Sequence, residues 1–182
     1  MKKLSIKTNS VRFIFLVFAA LALGITACSP AKLSDKEQAE NARAQALGCI
    51  QAQYDYDAKK WIDCLHPKVL EAQPGGREKL LKDMQEANAM TGVSKMTYDS
   101  LNVEAPKDVK NIGNIRAVVV PYRITSKSLD NKKSTTKEHL LGISEDEGKT
   151  WKFVIAYKEG IEILDKTFPG IKNIEIPKSE FN

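Results

Sequence analysis

The sequence predicts an α+β fold in which N-terminal helices pack on an antiparallel sheet. Apolar residues recur at helical spacing between positions 34 and 90, and β-branched, alternating segments follow from position 96. Helices that precede a run of consecutive strands pack together on one face of a curved sheet. A length of 182 residues with 28% charged residues suits one domain.

The first 27 residues have the layout of an export signal. A basic segment through Arg12 precedes the apolar run 13–25, which is shorter than the ~20 residues of a membrane-spanning helix. Ile25-Thr26-Ala27-Cys28 then resembles the bacterial lipobox. This resemblance implies that a diacylglycerol is attached to the thiol of Cys28 and that the chain is cut before it. The alternative is an ordinary secretory signal in which the cysteine occurs by chance.

A lipobox implies that the mature protein is anchored to the bacterial cell envelope. Several acyl chains hold a protein firmly at a membrane. Ser29, where inner-membrane lipoproteins of Gram-negative bacteria carry Asp, favours the outer membrane with the domain in the periplasm. Residues 28–33 form the lipidated tether, and residues 34–182 form a single domain.

The net charge of +5 does not indicate nucleic-acid binding. Four basic residues and no acidic ones lie within the first 27 positions, so 24 basic and 23 acidic residues remain in the predicted mature chain. Basic and aromatic residues are not interleaved there, and a basic patch is what nucleic-acid binding requires. We therefore expect no nucleic-acid partner.

Capping and spacing predict three N-terminal helices. The first begins at the capping box Ser34-Asp35-Lys36-Glu37. A second, short helix begins after Asp57 and ends before His66-Pro67, because a residue that precedes proline avoids helical backbone angles. A third helix spans 77–90 after a Pro-Gly-Gly turn. The apolar stripe of the first helix consists of Ala39, Ala42, Ala46, Cys49, Ile50 and Tyr54.

The C-terminal half predicts strands followed by one more helix. Strands are expected at 96–104 and 112–126, and a hairpin is expected from 134–144 and 150–158. A helix at 160–168 ends at Pro169-Gly170, and the tail 171–182 becomes polar.

Three short motifs resemble the N-terminal half of nuclear-transport-factor-2-like (SnoaL-like) proteins. They are Asp55-Tyr56-Asp57-Ala58-Lys59-Lys60, Leu65-His66-Pro67-Lys68-Val69-Leu70 and Gly75-Gly76-Arg77-Glu78-Lys79-Leu80. The resemblance covers about residues 35–158 and implies a cystatin-like cone with a pocket between sheet and helices. It implies no single activity, because the superfamily includes isomerases, dehydratases and non-enzymatic modules. Members also dimerise through the open sheet face, so a homodimer is one expectation.

The segment from Ser144 to Trp151 matches the Asp-box pattern Ser-x-Asp-x-Gly-x-Thr-Trp. Ser144 and Asp146 can accept hydrogen bonds from the turn, Gly148 supplies a positive φ, Thr150 completes the pattern and Trp151 packs into the core. We interpret the motif as a structural hairpin. The rival interpretation is a calcium site, which lacks EF-hand spacing. That site would use Glu145, Asp146 and Glu147.

Cys49 and Cys64 are predicted to form a disulfide. They are the two cysteines that remain after lipidation, in a compartment that permits disulfides. One continuous helix would separate them by about 22 Å, but a chain reversal at Asp55-Tyr56-Asp57 would place them side by side. The alternative is a pair of buried free thiols.

The sequence predicts a pocket wall but no catalytic residue, cofactor or metal site. Neither His66 nor His139 has a second ligand at zinc spacing, and we expect His66 to cap or pack at a helix end. The chain also lacks a phosphate loop, a Gly-x-Ser-x-Gly elbow and a zinc-protease motif. The candidate pocket residues are Tyr54, Tyr98, Tyr122, His139 and Tyr157.

The leading hypothesis is a membrane-anchored, non-enzymatic module that binds a small molecule or a protein. The alternative is an isomerase- or dehydratase-like enzyme that works in the cone pocket. A buried carboxylate within hydrogen-bond reach of a His or Tyr in that pocket would favour the enzyme, and a dry aliphatic or filled pocket would favour the module.

Overall fold

A computed structural model describes residues 32–90, 97–127 and 132–181. The predicted signal segment and Cys28 lie outside these residues, as do positions 128–131 between two of the predicted strands. One compact unit, Leu33–Asn182, contains all the helices and strands described here. Its architecture is α+β, with helices packed on an open antiparallel sheet of six strands.

Four helices precede the sheet: α1 (Asp35–Tyr54), α2 (Ala58–Cys64), α3 (Pro67–Glu71) and α4 (Gly76–Met90). Ser34 caps α1 through the predicted capping box, and the Asp57 side chain accepts from the Lys60 N–H at the start of α2. Helix α3 was not predicted. Pro67 follows the end of α2 and occupies the first turn of the next helix, where its missing N–H costs nothing.

The sheet contains β1 (Thr97–Val103), β2 (Lys110–Ile112), β3 (Ile115–Lys127), β4 (Lys133–Ser144), β5 (Lys152–Ile155) and β6 (Glu180–Phe181). The strand order is β1-β3-β4-β5, while β2 also pairs with β3 and β6 with β4. The strand predicted at 112–126 was wrong at its start. Gly113 adopts φ 57° in a tight turn, so Ile112 ends β2 and pairs with Ile115.

The remaining elements are α5 (Lys158–Thr167) and a 3₁₀ turn (Ile171–Asn173). The predicted hairpin arm 150–158 was too long, because α5 begins at Lys158 rather than at Gly160. The tail was expected to become polar, and no strand was predicted in it, yet its end adds β6 to the sheet through Thr136 and Lys137 of β4.

The two faces of the sheet carry separate cores, because side chains alternate along each strand. One core lies between the sheet and helices α1 and α2. It contains Val118, Val120 and Tyr122 of β3, Phe153 of β5 and Trp61 of α2. The opposite face is covered by α5 and the 3₁₀ turn, so the helices do not all lie on one face. Its core consists of Ile115, Leu141, Ile143, Val154, Leu164, Phe168 and Ile171, with Val69 of α3.

Candidate functional site

A groove of about 660 Å³ lies on the α5 side of the sheet, where the C-terminal tail crosses β3 and β4. Its volume is that of a small-molecule site. The lining comes from the 107–112 segment, from the sheet and from the tail. These residues are Lys107, Asp108, Lys110, Asn111, Ile112, Ala117, Val118, Val119, Pro121, His139, Gly170, Asn173, Ile174, Glu175 and Pro177.

The tail that forms one wall of this groove is fixed at both ends. Gly170 turns the chain after α5 with φ 100°, and its N–H donates to Asp165 Oδ1 at 3.0 Å. Lys172 Nζ lies 2.8 Å from Asp165 Oδ2, and this hydrogen bond lowers the pKa of Asp165. At the other end β6 pairs with β4. This wall of the groove therefore depends on contacts between residues that lie more than 30 positions apart in sequence.

His139 is the buried polar residue of the groove. It lies opposite Pro121 in the β3–β4 register, on the same face as Val119, and is only 3% exposed. Its Nδ1 is buried and has no hydrogen-bond partner within the described chain. Burial lowers the pKa of His139, with a further contribution from Lys137, so the imidazole is neutral near pH 7.

The charges that line the groove are balanced. Lys107 and Lys110 contribute two positive groups, and Asp108 and Glu175 contribute two negative ones. Lys110 Nζ lies 3.3 Å from Asp108 Oδ2, so one charge of each sign is already paired. The lining therefore shows no preference for an anion or a cation.

Three of the predicted pocket tyrosines meet on the opposite face, towards the helices. The rings of Tyr54 and Tyr98 pack edge to face with centroids 5.8 Å apart. Tyr122 is buried, and its hydroxyl donates to Glu138 Oε2. Burial and the Glu138 charge raise the pKa of Tyr54 to about 12. Burial and the Glu138 hydrogen bond raise the pKa of Tyr122 further, so both hydroxyls stay protonated.

Tyr157 occupies a third position. It is 56% exposed and borders a cavity of about 20 Å³, a volume that suits a single water molecule. Glu138, His139 and Pro177 line the same cavity. The structure thus distributes the five predicted pocket residues between two faces of the sheet, and only His139 lines the large groove.

The Asp-box residues form a closed turn between β4 and β5. Asp146 Oδ1 accepts from Ser144 Oγ at 2.8 Å and from the Thr150 N–H at 2.9 Å, while Oδ2 accepts from Thr150 Oγ1 at 2.7 Å. Trp151 is buried, and its Nε1 donates to the Gly148 carbonyl at 3.0 Å. The polar groups of the turn therefore find hydrogen-bond partners within the motif itself.

Helix α1 holds this turn from outside. Asn41 Nδ2 donates to the Gly148 carbonyl at 2.7 Å, and Gln45 Oε1 accepts from the Trp151 N–H at 2.9 Å. A Cβ at Gly148, whose φ is 85°, would collide with the Gln38 side chain. The hairpin therefore joins the helical layer to the sheet.

No group of three or more His, Cys, Asp or Glu side chains is placed to hold a metal ion within the described ranges. Of the three acids in the rival calcium site, Asp146 already accepts the three hydrogen bonds above. Glu145 Oε1 instead lies 3.8 Å from His66 Nε2.

The predicted juxtaposition of Cys49 and Cys64 is confirmed. Their Cα atoms lie 5.8 Å apart and their sulfur atoms are at disulfide distance. The reversal occurs at the predicted position, where Tyr56 adopts φ 62° between α1 and α2.

His66 caps a helix, as expected, although the helix is the unpredicted α3. Its Nδ1 accepts from the Lys68 N–H at 3.2 Å, and its ring packs edge to face on Phe168 at 5.5 Å. Its buried Nε2 has no hydrogen-bond partner among the described residues, and burial lowers its pKa. His66 does not line the groove.

No protein family model matches the chain, and no curated protein matches its sequence. Within the ranges that the structure describes, no helix has the length and apolar character needed to cross a membrane.

Sequence reasoning identified His139 but missed the rest of the groove. Gly113-Asn114 is a hairpin signal that could have revealed β2 and hence the 107–112 wall. Asn173, Ile174 and Glu175 gave no such signal, because their position depends on the distant pairing of β6 with β4.

Proposed function

We propose that the protein is a lipid-anchored module of the bacterial cell envelope that binds a small molecule in the groove without transforming it. The anchor is supported by the export signal and by Cys28. The binding role is supported by the groove of about 660 Å³, whose floor consists of Ala117, Val119 and Pro121 on one face of β3.

The nuclear-transport-factor-2-like cone is part of the same proposal. Its support is the element order, with helices before an antiparallel sheet and α1 packed on β1 and β3. The pocket of such a cone would lie between sheet and helices, on the side of Tyr54, Tyr98 and Tyr122. The groove lies on the other side, so a ligand there would use a surface distinct from the cone interior.

A second candidate function is supported by the hydrogen bond from Tyr122 to Glu138 on the helix side. A carboxylate beside a tyrosine is the arrangement that an isomerase-like enzyme would use, with Glu138 as base and Tyr122 positioning it. Tyr122 remains a donor at any physiological pH because its pKa is raised. Replacing Glu138 with Gln would abolish such an activity while leaving binding in the groove intact.

The binding proposal can be tested by filling the groove. Val119 is half-buried and lines it, so Val119→Trp should occupy its floor. Arg123→Trp adds the same side chain on the same face of β3, at an exposed position outside the groove lining, and is the matched control. Full-length protein in lipid nanodiscs would be titrated with benzyl alcohol, benzoate and benzylammonium, and binding would be followed by saturation-transfer NMR.

We expect at least one probe to bind wild type and Arg123→Trp equally and to lose binding to Val119→Trp. Circular dichroism checks that both variants fold. The absence of binding by all three probes, or equal binding to the two tryptophan variants, would contradict a ligand site in the groove.

A further inference from the structure

We infer that the groove takes a zwitterion with an apolar body, whose negative group binds Lys107 and whose positive group binds Glu175. This inference rests on the proposed function and specifies the class of ligand. It follows from the two walls of the groove, from its apolar floor and from the charges on its rims.

One wall of the groove follows β3 on the side away from β4. At one end of this wall the Glu104 N–H donates to the Pro121 carbonyl at 2.9 Å, and at the other end Lys110 of β2 pairs with Ala117. Lys107 lies midway in sequence between these two contacts, is exposed and lines the groove. It therefore lies on this rim, beside the middle of the floor.

The C-terminal tail forms the opposite wall. It begins at Gly170, where an added Cβ would lie 3.8 Å from Ile112 Cγ2, so the two walls meet at this end of the groove. At its other end Glu180 pairs with β4. Glu175 lies midway in sequence between these points, is exposed and lines the groove. It therefore lies on the rim opposite Lys107.

The floor between these rims is suited to an apolar body. Ala117, Val119 and Pro121 follow one another on one face of β3, and Ile112 and Ile174 flank them from either side. Four residues of a strand span about 13 Å, which is room for an apolar amino acid or a short peptide. A ligand that covers these side chains removes apolar surface from water, which drives binding in such pockets.

The charges of the lining favour a ligand that carries both signs. Lys110 Nζ lies 3.3 Å from Asp108 Oδ2, whereas neither Lys107 nor Glu175 has an ion-pair partner within the described chain. His139 is neutral near pH 7, because burial lowers its pKa, so it adds no competing charge. An anion or a cation would be attracted by one rim and repelled by the other, and a zwitterion gains both attractions.

L-Phenylalanine tests this class of ligand together with two analogues that each lack one of its charges. 2-Phenylethylammonium lacks the carboxylate, and 3-phenylpropanoate lacks the ammonium group. Full-length protein in phosphatidylcholine nanodiscs would be titrated with each probe by saturation-transfer NMR, with empty nanodiscs as the blank. We expect phenylalanine to bind about fivefold more tightly than either analogue, because an exposed ion pair contributes little more than that factor.

Two charge reversals assign the charges to the two rims. Lys107→Glu should reverse the preference towards 2-phenylethylammonium, and Glu175→Lys should reverse it towards 3-phenylpropanoate. The double variant, which has one charge of each sign again, should regain the preference for phenylalanine. Lys178→Glu makes the same change of charge at an exposed tail position outside the groove lining, and should leave all three affinities unchanged.

The dipeptide phenylalanyl-alanine places the two charges of the ligand farther apart. Binding tighter than that of phenylalanine would identify a peptide, rather than a free amino acid, as the source of the zwitterion. If a single-charge analogue binds wild type as tightly as both zwitterions, and Val119→Trp abolishes that binding, the groove is a site but the inferred ligand class is wrong. Charge reversals that keep the wild-type order of affinities overturn the inference in the same way. If neither these probes nor the benzyl series binds, the proposed function itself is contradicted.

Discussion

The carboxylate of Asp146 stabilises the turn between β4 and β5 by accepting hydrogen bonds. Its two oxygens accept from Ser144 Oγ, from the Thr150 N–H and from Thr150 Oγ1, at 2.7–2.9 Å. Burial acts to raise the pKa of Asp146, but the hydrogen bonds from Thr150 and Ser144 outweigh it, so the pKa is lowered. The ionised carboxylate is therefore the form that the folded turn selects.

We expect Asp146→Ala to lower the free energy of unfolding by about 1–2 kcal/mol, because it leaves turn donors unsatisfied. Trp151→Ala should cost more, about 3–5 kcal/mol, because it removes a large buried side chain. Denaturant unfolding followed by circular dichroism measures both, with the exposed Lys149→Ala as control. Midpoints near that of wild type would show that this hairpin does not stabilise the domain.

The two buried histidines make stability depend on pH. Burial lowers the pKa of both His66 and His139 in the folded protein, so the unfolded chain binds more protons near pH 6. Their contribution is present above the unfolded pKa of about 6.5 and is lost as the pH falls through the folded pKa.

The expected result is a lower free energy of unfolding at about pH 5.5 than at about pH 7.5. His139→Phe should reduce this difference by removing one of the two groups. Denaturant titrations at the two pH values provide the measurement. If the difference is the same in the variant, then the pKa of His139 does not differ between the folded and unfolded states.

At the scale of elements, the α1–α2 hairpin is closed by Cys49 and Cys64, which lie 15 residues apart in sequence. A disulfide here should contribute about 3 kcal/mol in the chain-entropy model. Mass spectrometry of exported protein, alkylated without reductant, should find neither cysteine modified. Alkyl adducts on both peptides would show that the cysteines remain free thiols.

Local signals predicted most elements because each acts within a few residues. The capping box at Ser34 and the reversal at Asp55-Tyr56-Asp57 are confirmed, since caps and turns depend on neighbouring backbone groups. The short helix α3 was missed because a proline signals both the end of one helix and the first turn of the next, and Pro67 takes the second role. Strand β6 and the tail wall were missed because the pairing of Lys137 with Glu180 joins distant segments.

The same difference between local signals and long-range contacts applies to the candidate site. His139 was predicted as a pocket residue and lines the groove, but the sequence could not place Tyr54, Tyr98 and Tyr122 on the other face of the sheet from it. The face on which each side chain lies depends on which helices cover that face. Helix α5 covers the face of the sheet that was expected to be open.

For the whole molecule, we predict that the chain is held at the membrane by lipid on Cys28. Labelled palmitate should enter the wild-type protein, and Cys28→Ala should abolish the label and change processing. Ser29→Ala, which leaves the cysteine in place, is the matched control. If Cys28→Ala protein still sediments with membranes after a carbonate wash, then something other than lipid retains the protein.

The central claim is that the groove beneath the tail holds a small-molecule ligand. The most direct measurement is a crystal structure of the protein purified from its own membranes, at a resolution that shows ordered small molecules. We predict density for an ordered small molecule across Ala117, Val119 and Pro121. A groove that holds only solvent, or that is closed by the chain's own tail, would contradict the claim.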